Sequence, residues 1–501
     1  MGRLSAQNQR CAQPQHDRCK SIARGLLRAY TRPRSARIAR KPQPARTAEP
    51  PLTRSVRVVV WEGRPIGGGP IPMGRTNDDG VAMYTLKPPA VFVHKRVYCN
   101  PKAVERLGRM LRAMGDPPVE DVETADTEMI VERAGVGASC PAWSDDLMNG
   151  FLRPQGDPVI VFNTFVWDES QREVAEKKYK YKIANRLAWT MAGVGEDFAY
   201  SRREVMDADH RSDRSYVCQG GWGLHSLNGC VHRCAYCDQA FIMTLMLDLE
   251  DFADHVTQTL AARPRQKLYR YDMYSDSICF EPEYGASQVL ADVFSKSEDQ
   301  YLLFYTKSNN VDHLLELENR ERCVFYTTLA TDHAAREFEP GAPSLDQRIQ
   351  ALRRCQDAGY TVRAGFSPII PIREWREDAT KAIETLFAKV APDTVRLWVL
   401  SMTSVPQFDG AMGFERMDPR LADMAIRADP AKVGSWNAPF PTEARAEIYA
   451  HYIDEIARVS PGTPVSLCSE SPDAWEHLRG KIKMKPDRLF CCCGGLSVPR
   501  R

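Results

Sequence analysis

Apolar runs alternate with amphipathic stretches from about residue 216 onward. The apolar runs are rich in β-branched and aromatic residues, which is typical of buried strands. The pattern predicts strands at Leu268–Tyr274, Tyr301–Thr306, Val324–Leu329, Val362–Ile370 and Thr394–Leu400, and helices between them at Ala286–Ser295, Val311–Asn319, Ser344–Ala358 and Asp378–Val390. Strand–helix alternation of this length indicates βαβ units around a parallel sheet. Five or six such units predict a partial (β/α)6 barrel of TIM type, whose chemistry lies at the carboxyl ends of its strands.

The region before the barrel, residues 55–215, has a more mixed pattern. It predicts strands at Val56–Trp61, Ala90–Tyr98 and Pro158–Phe165, and helices at Pro101–Met114 and Glu173–Met191. In the first of these helices Val104, Leu107, Met110 and Leu111 fall on one face, as expected of a helix that packs on a core. We therefore expect an N-terminal α/β extension ahead of the barrel.

Charge is distributed unevenly along the chain. Residues 1–54 carry 13 Lys and Arg against Asp17 and Glu49, a net charge of +11, whereas the remainder has a net charge of −9. This Arg- and Pro-rich stretch offers little apolar surface to offset the entropy of ordering, so we expect a disordered basic tail, with an organellar transit peptide as the alternative. The predicted domains are the tail (1–54), the extension (55–215), the barrel (216–470) and a cysteine-containing C-terminal tail (471–501).

Fifteen cysteines are spread over a chain with no secretory signal pattern. No apolar run approaches the roughly 20 residues that span a bilayer. These features disfavour a disulfide framework and favour reduced thiols, metal ligands or catalytic thiols. We expect a cytoplasmic protein that does not associate with membranes.

Three cysteines, Cys230, Cys234 and Cys237, stand in one short loop with C-x3-C-x2-C spacing. Three thiolates in such a loop can hold three corners of a [4Fe–4S] cluster and leave the fourth iron open to a small molecule. A zinc site is disfavoured, because it usually takes four ligands in C-x2-C pairs and His232 is badly placed as the fourth. A ferredoxin-type electron carrier would need a fourth cysteine, and chance clustering is the weakest alternative for a triplet that opens a βα repeat.

With the aromatic Tyr236 before its last cysteine, this loop resembles the signature of the radical S-adenosylmethionine (SAM) superfamily. The likeness is closer to the spore photoproduct lyase family of DNA repair enzymes. Its further segments, in the order expected of that family, are Val97–Ala103, Tyr305–Asp312, Phe338–Gly341 with Leu345–Ile349, and Gly365–Ile370. The resemblance covers roughly residues 95–480.

The resemblance implies a radical SAM enzyme with two cofactors, a [4Fe–4S] cluster and SAM, whose amino and carboxylate groups chelate the open iron. An electron from an external reductant of flavodoxin or ferredoxin type would cleave SAM to a 5′-deoxyadenosyl radical, which abstracts hydrogen from the substrate. DNA is the leading substrate class. The metal ligands would be Cys230, Cys234 and Cys237, and the cofactor-binding residues Tyr236, Ser275, Asp276, Lys307 and Thr328. Ser275 and Asp276 are expected near the methionyl amine and Lys307 at the SAM carboxylate, pairings that opposite charge also favours.

The chain departs from the family at the hydrogen donor. The family has a cysteine two residues before the Ser–Asp pair, where this chain has Met273, and a thioether has no S–H to donate. The hydrogen must then come from another thiol, a tyrosine or 5′-deoxyadenosine. Cys279 and Tyr274 are the candidate donor or relay, with simple packing as the alternative. Cys468 and Cys491–Cys493 are expected to be free, reduced thiols, those at the C-terminus in a free tail, with an auxiliary iron–sulfur site or a thiol donor as the alternative.

Two other functions stay open at this point. The first is the same radical chemistry on a small molecule, a peptide or RNA, which the acidic body and the missing donor cysteine favour. The second is a non-enzymatic iron–sulfur or metal-binding protein, which cleavage of SAM on reduction would exclude. A basic groove near the barrel mouth would favour DNA.

Overall fold

The computed structural model describes residues 82–135, 156–177, 182–203, 216–237, 239, 241–401, 403–428 and 439–500, together with Arg75–Thr76. The predicted tail and the predicted strand Val56–Trp61 lie outside these residues. The strands of the described part are β1 Arg75–Thr76, β2 Ala82–Met83, β3 Val91–His94, β4 Glu120–Val122, β5 Val159–Asn163, β6 Tyr200–Arg203, β7 Gly221–Leu224, β8 Leu227–Asn228, β9 Ile242–Met246, β10 Leu268–Tyr271, β11 Tyr301–Thr306, β12 Cys323–Leu329, β13 Thr361–Ile369, β14 Val395–Val399 and β15 Val465–Leu467.

The helices of the described part mostly follow the strands of the barrel. They are α1 Pro101–Ala113, α2 Thr127–Arg133, α3 Arg172–Glu176, α4 Lys182–Ala192, α5 Gly195–Phe198, α6 Leu249–Ala262, α7 Ala286–Ser295, α8 Asp312–Leu315, α9 Asp332–Phe338, α10 Leu345–Asp357, α11 Trp375–Lys389, α12 Val405–Met412, α13 Pro419–Ile426, α14 Thr442–Val459 and α15 Pro472–His477. None of the helices in this part of the chain is both long and apolar enough to cross a bilayer.

A curled eight-stranded sheet has the strand order β15-β14-β13-β12-β11-β10-β7-β6. Strand β7 and strands β10 to β15 run parallel, and β6 pairs antiparallel with β7 at one edge. The predicted partial barrel of the α/β class is therefore confirmed. The pattern of apolar residues did not reveal three strands of this sheet: β15, which has only three residues, the edge strand β6, and its neighbour β7.

Some predicted helix boundaries are correct because the sequence contains residues that cap helices. Ser344 caps α10 in a reciprocal capping box with Gln347, and Gly359 follows the helix with a φ of +91°. Others differ. The strand predicted over Ala90–Tyr98 ends at His94, whose ring accepts a hydrogen bond from the Arg96 backbone N–H and caps a 3-10 turn.

Two predicted helices are shorter or divided. The helix predicted over Val311–Asn319 ends at Leu315, and Asn319 has a left-handed φ of +58° that a helix cannot include. The helix predicted over Glu173–Met191 is two helices, α3 and α4, and residues 178–181 between them lie outside the described part.

A second sheet has the order β4-β3-β5-β9-β8, with all of its pairings parallel except β8 with β9. Its core includes the buried Phe92, Val161, Leu187 and Met191. The chain enters the barrel sheet at β6 and β7, crosses to this second sheet at β8 and β9, and returns to the barrel at β10. The loop with the three cysteines therefore joins two strands of the second sheet immediately beside the barrel.

The C-terminal segment, residues 489–498, packs inside the barrel. Cys492 is fully buried in a cluster with Leu268, Leu303, Val324 and Tyr326. The Arg363 guanidinium donates hydrogen bonds to the backbone carbonyls of residues 492 and 497, at 2.8 and 2.7 Å. What the sequence suggested as a free tail is thus part of the barrel core.

Candidate functional site

The backbone of the three-cysteine loop is bent tightly and held at several points. The Cys230 N–H donates to the Gln239 carbonyl at 2.6 Å, and the Cys237 N–H donates to the Cys234 carbonyl at 3.0 Å. Gly229, which opens the loop, has a φ of +96°, and a Cβ at this position would clash with the backbone of β9. Glycine is therefore required where the chain turns into the loop.

The three thiols suit a cationic ligand. Cys234 is buried, and Cys230 and Cys237 are partly exposed. Burial raises the pKa of Cys230, with a further contribution from the nearby Asp276 charge, and it raises the pKa of Cys234 to about 12. Ionised sulfurs at these positions would need a nearby positive charge to stabilise them. Three thiols in one loop have the chemistry that a cluster requires, although no three such side chains in the described part of the chain are arranged as a ready-made metal site.

His232, between the first two cysteines, is not available as a further ligand in this structure. Its Nδ1 lies 3.0 Å from the Gly341 carbonyl oxygen and its Nε2 lies 2.8 Å from Asp276 Oδ2. The Gly341 N–H in turn donates to the His232 carbonyl at 3.0 Å. Both ring nitrogens are thus used to anchor the loop, which argues against a Cys3His zinc site.

Asp276 connects this loop to the end of β11. Its side chain is 2% exposed and accepts hydrogen bonds from the Thr306 hydroxyl and from the backbone N–H groups of Lys307 and Ser308, at 2.7–3.2 Å. Burial alone would raise the pKa of Asp276, but the adjacent His232 and these donors lower it. All of these partners are protein groups, and the expected contact of Asp276 with the methionyl amine stays a prediction.

The structure brings together three of the predicted cofactor-binding residues around one buried carboxylate. Lys307 Nζ lies 2.8 Å from Thr328 Oγ1 and 3.1 Å from Glu339 Oε1, and the Tyr236 hydroxyl donates to the same carboxylate. Glu339 also forms an ion pair with the fully buried Arg348. Although burial opposes ionisation, Arg348 and Lys307 hold the pKa of Glu339 at about 2.

Sequence reasoning missed Glu339 as a functional residue. It lies in the segment Phe338–Gly341, to which the resemblance gave no role. The sequence feature that could have indicated a residue such as Glu339 is Lys307, because a lysine predicted at an enclosed strand end needs a carboxylate partner.

Ser275 contributes a hydroxyl without a partner. Its Oγ is buried and has no hydrogen bond to any of the described residues. An orphaned hydroxyl beside Asp276 is a group that a bound ligand such as SAM would satisfy.

Tyr274 lies between the three-cysteine loop and a buried His–Asp pair. Its carbonyl accepts a hydrogen bond from the Gly229 N–H at 3.0 Å, and its ring stacks on His225 with centroids 4.3 Å apart. His225 is hydrogen-bonded to Asp272, and both side chains are fully buried. Tyr274 is therefore close to the cysteine loop, and its role as donor or relay stays a prediction.

Cys279, the other donor candidate, is enclosed by protein. Its side chain is 5% exposed, and its Sγ lies 3.4 Å from the Asp276 carbonyl oxygen. Burial raises the pKa of this thiol. These contacts support packing as its role.

Cys279→Ala is therefore expected to leave iron content and turnover within about twofold of the wild type. The expected loss of stability is on the order of 1 kcal/mol, because only one buried sulfur is removed. Cys355→Ala, which removes a fully buried thiol on α10, is the matched control. Loss of turnover in Cys279→Ala with normal iron and normal unfolding would instead identify Cys279 as the donor.

The C-terminal cysteines lie inside the barrel. The Arg270 guanidinium contacts Met273 Sδ with one nitrogen and lies 3.9 Å from Cys493 Sγ with another. Arg396 Nη1 lies 3.8 Å from Cys468 Sγ. Within the described part of the chain, no group of three or more His, Cys, Asp and Glu side chains is arranged as a ready-made metal site. An auxiliary cluster at these cysteines stays a prediction.

Comparison with known proteins agrees with this architecture. The sequence model of the family described as spore photoproduct lyase matches residues 222–401. Spore photoproduct lyase of Bacillus subtilis (strain 168) is 27% identical over 173 residues, which are 33% of this chain and 50% of that protein. Spore photoproduct lyase of Geobacillus sp. (strain Y412MC61) is 24% identical over 159 residues, 30% of this chain and 46% of that protein. The chain thus spans about half the length of the curated relatives it matches.

A solved spore photoproduct lyase structure with dinucleoside spore photoproduct has a TM-score of 0.51 at 15% identity, and the match covers 76% of this chain and 99% of that one. A second, with bound AdoMet as well, has a TM-score of 0.50 and covers 98% of its chain. These structures share the fold of this chain. The segment that the family sequence model matches, residues 222–401, contains the cysteine loop, Lys307 and Thr328. The chain is therefore similar to the spore photoproduct lyases over residues 222–401 and shares the fold of their solved structures.

Proposed function

We propose that this chain is a radical SAM enzyme that repairs a DNA photoproduct, as the spore photoproduct lyases do. The observation that carries the proposal is the connection between the three-thiol loop and the strand ends. His232 and Asp276 join the loop to β11, where Lys307 faces Thr328 and Glu339. When bound at the three thiols, the cluster would supply the electron that cleaves SAM.

In this proposal the chain's own residues bind the two cofactors and hold them in position. Cys230, Cys234 and Cys237 hold the cluster, and Lys307 binds the carboxylate of SAM. Glu339 keeps the Lys307 ammonium in place through the 3.1 Å ion pair. Asp276 acts as a positioning residue, because it fixes both His232 of the loop and the backbone that carries Lys307.

Anaerobically reconstituted protein, given SAM, dithionite and dinucleoside spore photoproduct, tests the function. We expect 5′-deoxyadenosine to form and the photoproduct to be consumed slowly, because Met273 stands where the family has its hydrogen-donating cysteine. Protein left without iron is the control and should do neither. Photoproduct that stays intact while 5′-deoxyadenosine accumulates would refute the DNA repair proposal but leave the radical SAM chemistry intact.

Lys307→Met is expected to weaken SAM binding about ten- to a hundred-fold, because a charge-assisted contact in a sheltered site contributes roughly 1.5–3 kcal/mol. Iron content should stay normal, since Lys307 forms no hydrogen bond to any of the three thiols. Equilibrium binding of SAM to the reconstituted protein measures the effect. Lys389→Met, which removes an exposed lysine paired with Asp346, is the control. Equal SAM affinity in Lys307→Met and wild type would show that the carboxylate binds elsewhere.

A second candidate function keeps the chemistry and changes the substrate to a small molecule, a peptide or RNA. The observation that favours it is Met273, whose sulfur lies against Arg270 where the family has its hydrogen-donating thiol. Screening such substrates for deuterium exchange with 5′-deoxyadenosine distinguishes it from DNA repair.

A further inference from the structure

Two arginines face each other across the interior of the barrel. Arg270 on β10 and Arg396 on β14 both lie against the ring of Tyr305, with guanidinium carbons 5.6 and 5.5 Å from its centroid. Arg396 is 4% exposed. Within the described part of the chain, neither guanidinium forms an ion pair with a carboxylate. Their hydrogen-bond partners are sulfurs and hydroxyls: Met273 Sδ, Cys493 Sγ, Cys468 Sγ, Tyr305 Oη and Ser367 Oγ.

Buried guanidinium groups without a counter-charge are costly, because water no longer solvates them. A nearby cysteine of the chain can offset part of this positive charge. Hydrogen bonds from Cys491 and Cys492, together with the charges of Arg270 and Arg396, lower the pKa of Cys493. One thiolate at Cys493 would balance only one of the two guanidinium charges.

The same interior contains polar atoms that have no partner among the described residues. They are Arg270 Nε, Arg396 Nε, Tyr326 Oη and Ser466 Oγ. Arg396 lies over the Tyr326 ring at 5.1 Å, and Ser466 is paired with Arg396 in the register of β14 and β15. Four orphaned donors around an uncompensated positive charge require an acceptor. An oxyanion supplies both the acceptor atoms and the missing charge.

This interior is accessible and lies next to the proposed SAM site. Arg270, Tyr305, Cys468 and Cys493 are all partly exposed, although the flanking strand residues are buried. Ser367 connects the two regions, because its Oγ lies 2.6 Å from Arg396 and its carbonyl lies 3.5 Å from Lys307 Nζ.

We propose that the barrel interior between Arg270 and Arg396 binds an oxyanion and, resting on the proposed function, that this oxyanion is a phosphate group of a nucleotide substrate. Planar guanidinium groups bind phosphate through paired N–H donors, and the Tyr326 and Ser466 hydroxyls complete the coordination.

Calorimetry on the full-length reconstituted protein without SAM tests the site with inorganic phosphate and with acetate. We expect saturable phosphate binding that is tighter than acetate binding. Arg270→Gln and Arg396→Gln should each weaken it about ten- to a hundred-fold, since each removes a charge-assisted contact. Arg353→Gln, which changes an exposed arginine paired with Asp357, should bind phosphate as the wild type does. Absence of phosphate binding, tighter binding of acetate, or phosphate binding unchanged in both variants would overturn the proposal.

Alkylation of Cys493 by iodoacetamide gives a second measurement that needs only the wild type. The guanidinium charges favour the reactive thiolate form of Cys493, and bound phosphate would neutralise part of that charge. The rate of alkylation at Cys493 should therefore fall as phosphate is added. Peptide mass spectrometry identifies the alkylated cysteine. A rate that does not respond at saturating phosphate would show that phosphate binds elsewhere and would refute the site. Neither measurement depends on SAM cleavage, so failure here is distinguishable from failure of the proposed function.

Discussion

Cys234→Ala protein is expected to contain almost no iron after anaerobic reconstitution and to form no 5′-deoxyadenosine from SAM. The wild type should contain about four irons at this site. Cys234 is the middle cysteine of the loop, and its backbone carbonyl accepts the N–H of Cys237. With one thiolate removed, the loop offers only two sulfur ligands, and His232 cannot replace the third because both of its ring nitrogens are engaged.

Cys230→Ala and Cys237→Ala should give the same result, because each thiolate is required for the whole cluster. Iron and sulfide analysis and the dithionite-sensitive absorption of the cluster measure the effect. Cys355→Ala, in the fully buried thiol on α10, should keep its iron. Stoichiometric zinc in the wild type, or full iron in any of the three loop variants, would contradict the assignment.

Arg348→Ala should lower the free energy of unfolding by roughly 3–5 kcal/mol, because it leaves the Glu339 carboxylate buried with too little positive charge. The Arg348 and Glu339 side chains are both fully buried. Arg348 also donates hydrogen bonds to the carbonyls of Pro343 and Thr328, at 2.8 and 3.2 Å. The substitution therefore removes an ion pair and leaves buried acceptors with fewer donors.

Urea unfolding followed by circular dichroism, at matched iron content, measures this loss. Arg353→Ala on the same helix is the control, and its surface pair with Asp357 should contribute no more than about 1 kcal/mol. The double variant Arg348→Met with Glu339→Gln should recover part of the stability, since neither side chain is then a buried charge. Equal unfolding free energies for Arg348→Ala and Arg353→Ala would show that Glu339 does not depend on Arg348.

The repeating part of the fold was predictable because its strands are mostly buried and apolar and the helices between them are amphipathic. Ser344 marks the start of α10, whereas α7, α8 and α11 have no side-chain N-cap. Strand β11 and helix α7 have the predicted bounds. In the site, the three cysteines are local in sequence, so their spacing alone indicates their chemistry. Lys307 and Thr328 were predicted at successive strand ends, and parallel strands bring such ends together.

The rest depends on pairings that no local pattern contains. His232 meets Asp276 across 44 positions, and Arg270 meets Cys493 across 223. A histidine between two cysteines gives no indication of a distant carboxylate. The cysteines near the C-terminus showed no periodicity that would place them inside the barrel. The backbone of their segment is bonded instead to residues far away in sequence, among them Gln219 and Arg363.

The path of the chain around the cysteine loop has a consequence for folding cooperativity. Strand β7 belongs to the barrel sheet, whereas β8 and β9, which flank the loop, belong to the other sheet. Any ligand that binds only the folded loop stabilises the native state. Because the strands before and after this part of the chain belong to different sheets, such a ligand stabilises both sheets. Iron should therefore raise the unfolding temperature of the two sheets together. Oxidative loss of the cluster should increase susceptibility to proteolysis at sites far from the cysteines.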